Sequence, residues 1–147
     1  MDLADWQRNG WLLSRKPTVK AIADLLNMAD TYLADCALVG LSAESRLSIA
    51  YTAALSAASA ALAAAGYRVD YEAHHYRLIQ SLEVTIGASA EVIRQFGAFR
   101  KKRNVAGYER AGEVSEGEAE EMVRLAQHLR REAERWIRAG HPGLLPP

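Results

Sequence analysis

Apolar side chains recur along this chain at intervals of three and four, the signature of helices that bury one stripe. Ile22, Leu25, Leu26, Ala29, Leu33 and Cys36 share one face of a helix predicted over residues 17–38, with Pro17 in its first turn and Gly40 beyond its end. Ser42 caps a second helix, carrying Leu47, Ala50, Tyr51, Ala54, Ala58, Ala61 and Leu62, which Gly66 closes. A third is expected from a cap at Asp70 through His74, His75, Ile79 and Leu82, with a break at Gly87 and a second part over residues 89–105 holding Val92, Ile93, Phe96 and Phe99. The last helix has the clearest start: Ser115 and Glu118 form a capping box. Its buried face is Met122, Leu125, Ala126, Leu129, Ala133, Trp136 and Ile137, and Gly140 and Pro142 stop it.

No segment alternates with period two over any length, so no strand is expected. The pattern predicts an all-α fold, an antiparallel up-and-down bundle of four to five helices. Residues 1–16 form an N-terminal extension with Trp6 and Trp11, where a short helix is expected to staple those indoles onto the bundle. Residues 17–140 form the bundle, and residues 141–147 an irregular tail.

Composition narrows the function. The chain has 147 residues with 18 basic and 18 acidic side chains, so a global nucleic-acid field is absent and an anion site must be a local patch. Cys36 is the single cysteine and reads as a buried core thiol, which fits a reducing, cytoplasmic setting. The N-terminus carries acids and no long apolar run, unlike a secretory signal. The most apolar stretch, IAYTAALSAASAALAAA at 49–65, is short and alanine-rich, and reads as a closely packed helix of the fold rather than a membrane span.

The strongest chemical signal is RKKRNVAGYE at residues 100–109. Consecutive cations repel one another and add little to a helix, whereas guanidinium forks bind phosphate bidentately and Asn donates a further bond. Arg100, Asn104 and Tyr108 lie on one ridge of a helix. Arg103 stands about 140° around the axis from Tyr108 unless the helix ends near Gly107. Arg100, Lys101, Arg103, Asn104 and Tyr108 are the candidate phosphate or RNA ligands. The other reading is a solvated helix end whose cations offset the C-terminal dipole. His74 and His75 are candidate acid–base groups, but as neighbours they point about 100° apart. No metal-ligand spacing, P-loop, GxGxxG or GxSxG occurs, so neither a metal nor a cofactor is expected.

With FRKKRNVAGYE ahead of a capped final helix, and His74-His75 opening the third, the chain resembles the HEPN superfamily (higher eukaryotes and prokaryotes nucleotide-binding domain) over about residues 17–138. The resemblance implies a bundle of four or five helices and a homodimer. It also implies one of two activities. Many members are metal-independent ribonucleases, often toxins paired with a minimal nucleotidyltransferase or another antitoxin; others bind nucleotides or RNA without catalysis. The ribonuclease motif is an Arg followed, after four to six residues, by a His. Arg103 and Asn104 match its start, but Tyr108, Glu109 and Arg110 occupy the His positions. A Tyr with a pKa of about 10 is a poor base, so binding carries over better than catalysis. Three readings follow: a non-catalytic phosphate- or partner-binding module, a ribonuclease toxin using Arg103 with Tyr108 or a supplied His, and a structural dimerisation subunit. A dimer that brings two basic segments together would make a positive groove despite zero net charge.

Overall fold

The computed structural model describes residues 1–70, 74–108 and 114–146, with the backbone alone described for 104–108. Among them are six α-helices, α1 (Leu3–Arg8), α2 (Val19–Asp35), α3 (Ala43–Ala64), α4 (His74–Ser81), α5 (Ala90–Tyr108) and α6 (Glu116–Gly140), and two short strands, β1 (Leu12–Ser14) and β2 (Tyr67–Val69). The fold is all-α, as the apolar periodicity predicts.

Helix α3 is the centre. It packs against α2, α4, α5 and α6, so almost no side of it meets water. A helix covered all round is apolar all round. Ala50, Ala53, Ala54, Ala57, Ala60 and Ala61 are fully buried, and their small side chains let the neighbouring helices close in. By length and composition this helix could cross a membrane, with mean hydropathy 1.5 over its best window. Yet 78% of that window is buried within the fold, the position of a core helix.

Local chemistry sets the helix starts. The Ser42 hydroxyl accepts from the Ser45 amide at 3.1 Å. At α6 the Ser115 hydroxyl accepts from the Glu118 amide at 3.1 Å, and the Glu118 carboxylate accepts from the Ser115 amide at 3.0 Å. Both ends thereby satisfy donors that have no partner inside the helix. Pro17, expected within the first turn of α2, instead precedes it. Thr18 is the cap, because its hydroxyl accepts from the Ala21 amide at 3.1 Å. The expected cap at Asp70 turns on residues 71–73, which lie outside the described residues.

Two further features depart from the sequence reading. The first is the β1–β2 ladder, antiparallel, pairing Leu12 with Val69, Leu13 with Arg68 and Ser14 with Tyr67. Hydrogen bonds from the Arg15 amide to the Gly66 carbonyl (2.9 Å) and from the Asp70 amide to the Trp11 carbonyl (3.2 Å) extend it. Three residues a side are too few to display a period of two, and the partners are far apart in sequence. The ladder ties the N-terminal segment to the body: Trp6 and Leu12 are buried, and Trp11 meets Trp6 edge to face at 5.7 Å. The second is the tail, expected to be irregular. Pro142–Leu144 form a 3-10 turn that tucks Leu145 against Ile22, Leu26 and Ile137. Burial of that leucine supplies the driving force.

Arg130 on α6 bridges to α2. Its Nε and Nη2 reach the two Asp30 carboxylate oxygens at 2.9 and 3.0 Å. A bidentate pair with its guanidinium largely covered couples more strongly than a typical exposed pair. A double-mutant cycle of Asp30→Ala and Arg130→Ala should give a coupling of about 0.5–1 kcal/mol, falling as salt is raised. No coupling by urea denaturation would show that the bridge does not hold α2 to α6 in solution.

Candidate phosphate site

Ser48 and Tyr51 on α3, His74, His75 and Tyr76 on α4, and Arg100 and Arg103 on α5 come together. Tyr51 is at the centre. Its ring is fully buried and meets Phe96 edge to face at 5.5 Å. The Arg103 guanidinium carbon lies 5.1 Å from the Tyr51 ring centroid, and its Nε donates to the Ser48 hydroxyl at 3.2 Å. On the other side, the Tyr51 hydroxyl and His75 Nδ1 share a hydrogen bond of 3.2 Å. Arg100 lies over the Tyr76 ring at 5.9 Å, and its buried Nε has no hydrogen-bond partner. Among the described residues, no ion pair joins Arg100 or Arg103 to an acid.

This environment fixes protonation. Burial, followed by the positive fields of His74, Arg103 and Arg100, holds His75 below the ordinary 6.5. Burial pushes Tyr51 up to about 12, against the pull of Arg103 and Arg100. At neutral pH the pair is therefore an uncharged imidazole beside an intact phenol, with two guanidinium groups nearby. The folded His75 binds its proton more weakly than the unfolded one. Below pH 6.5 the unfolded state thus takes up more protons, and stability falls as pH drops toward the folded value. Replacing His75 with Gln should flatten that fall, which urea denaturation at pH 7.5 and 5.5 measures; an identical fall in both proteins would assign the acid sensitivity elsewhere.

Of the residues the sequence singled out, Arg100, Arg103 and His75 converge, with His74 against His75 at 4.9 Å between ring centroids. Lys101 is exposed, and Lys102 pairs with Glu118 at 3.4 Å. The side chains of Asn104 and Tyr108 lie outside the described residues. Helix α5 runs on through Tyr108, so positions 103 and 108 stand about 140° apart around its axis. The imidazole nearest Arg103 in this cluster comes from α4, across Tyr51. Ser48 and Tyr51 went unnoticed as site residues because Tyr51 fits the apolar stripe of α3. The available signal was its hydroxyl, a polar handle that needs a partner when buried among alanines.

Compared with protein-family models, curated proteins and solved structures, the chain matches none of them.

Proposed function

We propose that this chain is a HEPN-like domain that holds a phosphate of a nucleotide or RNA at Arg100 and Arg103, without efficient catalysis of its own. The observation that carries the reading is a pair of guanidinium groups over Tyr51 and Tyr76, with no acid paired to either among the described residues and one buried Nε left without a partner. Buried donors without partners are costly, and a phosphate oxygen would satisfy them with charge-assisted bonds. With 18 basic and 18 acidic side chains in balance, no net positive charge adds to the attraction that this cluster exerts on an anion. The HEPN resemblance supports a homodimer, in which two such clusters would form one groove, and a nucleotidyltransferase or antitoxin partner. Light scattering tests the dimer. The phosphate reading is tested by anisotropy of a labelled single-stranded RNA, comparing the native protein with Arg103→Ala.

A second reading, a metal-independent ribonuclease, is favoured by one observation: His75 is joined to the tyrosine over which Arg103 lies. A neutral imidazole can take the proton of a ribose 2′-hydroxyl. The 2′-oxygen then bonds to phosphorus, the bond to the 5′-oxygen breaks, and that oxygen leaves with a proton taken from solvent water, while the imidazolium of His75 returns its proton to the solvent and Arg103 offsets the charge gathering on the phosphoryl oxygens. RNA cleavage by purified protein, ending in 2′,3′-cyclic phosphate and abolished by both His75→Ala and Arg103→Ala, would replace the binding reading with this one.

A further inference from the structure

His74 and His75 serve different surroundings. While His75 turns to Tyr51, His74 lines a separate cavity of about 210 Å³ between α2, α3, α4 and β2. Leu25, Leu62 and Leu78 give it apolar walls, and Arg15 and Arg68 are part of its lining. Both arginines are exposed, and among the described residues no acid lines the cavity and no ion pair joins either arginine to an acid. The buried Nδ1 of His74 has no hydrogen-bond partner. The β1–β2 ladder builds this arrangement, because it sets Arg15, just past β1, beside the start of β2 through the Arg15–Gly66 hydrogen bond.

We infer that this cavity binds a small amphipathic carboxylate, with an aromatic or short alkyl body among the leucines and its anionic group at Arg15 and Arg68. The size fits: a dry cavity of about 150 Å³ takes a benzene ring, so this one has room for a ring with a short side arm. The chemistry fits as well. Ligand sites are mostly apolar with a few convergent polar groups, and guanidinium groups without acid partners select a carboxylate over an amine or an alcohol of the same shape. His74, with an unused ring nitrogen, offers the ligand one further hydrogen bond. His74 also touches His75 of the Arg100–Arg103 cluster, but the carboxylate is held by Arg15 and Arg68, which take no part in that cluster, so the inference stands or falls apart from the phosphate reading.

The test is a titration of the full chain, labelled at its Leu and Val methyl groups, with 3-phenylpropanoate and with 3-phenylpropylamine as the isosteric cation, followed by NMR. The expected result is saturable binding of the carboxylate, with shifts concentrated on Leu25, Leu62, Val69 and Leu78. Affinity for the amine should be at least tenfold weaker. An Arg15→Glu/Arg68→Glu variant should lose at least tenfold in carboxylate affinity while keeping its melting temperature. Should that variant fail to fold, the comparison of the two probes on the native protein decides alone. Equal affinity for acid and amine, shifts scattered over the surface, or no saturable binding would each overturn the inference.

Discussion

Phe96→Ala should be the most destabilising single truncation near the site, at about 3–5 kcal/mol. Phe96 has no exposed surface and packs edge-on against Tyr51 in the main cluster, with Leu47, Leu82 and Met122 among its members. Removing the ring loses its transfer free energy and leaves a hole that four packed helices cannot easily close. For a domain of about 150 residues, that corresponds to a melting temperature roughly 8–16 °C lower. Phe96→Leu should recover most of the loss, since it keeps most of the apolar volume. The damage is also functional, because Phe96 is the floor under Tyr51 and Tyr51 orients both Arg103 and His75. A Phe96→Ala protein losing under about 1 kcal/mol would mean that α5 does not pack on α3 as described.

The largest effect on binding is expected at Arg103. Arg103→Ala should weaken a labelled single-stranded RNA at least tenfold, or about 1.4 kcal/mol, with little change in thermal stability. Arg103→Lys should recover only part of it. An ammonium keeps the charge but lacks the planar fork that can bond Ser48 and a phosphate together while lying on the Tyr51 ring. Replacing Lys101 should cost much less, since it is exposed beyond the cluster. The salt dependence separates the reading from diffuse attraction: losing one phosphate contact should reduce the slope of log affinity against log salt by about 0.7 for a single strand. Unchanged affinity and slope in Arg103→Ala would remove the phosphate site from this protein.

Much of the architecture can be read from residue types taken in local windows. The stripe from Ile22 to Cys36, the alanine run of α3 and the Ser115–Glu118 capping box each state their structure within a few turns. Their determinants are hydrogen bonds and periodicities between near neighbours. Such signals need no knowledge of the rest of the chain. The β1–β2 ladder gave no such signal, because each strand is three residues long and is stabilised by a partner more than fifty positions away. The basic segment was legible as chemistry, but its usable geometry was not.

The sequence by itself determined that residues 100–103 would place two guanidinium groups and two ammonium groups on one helical segment. The tertiary structure decided which imidazole would accompany them. Tyr51 and His75 are 24 positions apart, and Ser48 and Arg103 are 55 apart. Only the packing of α4 and α5 on one face of α3 joins them. The physical reason is burial: once Tyr51 is enclosed, its hydroxyl must find a partner inside the fold, and His75 is the group that packing places within reach.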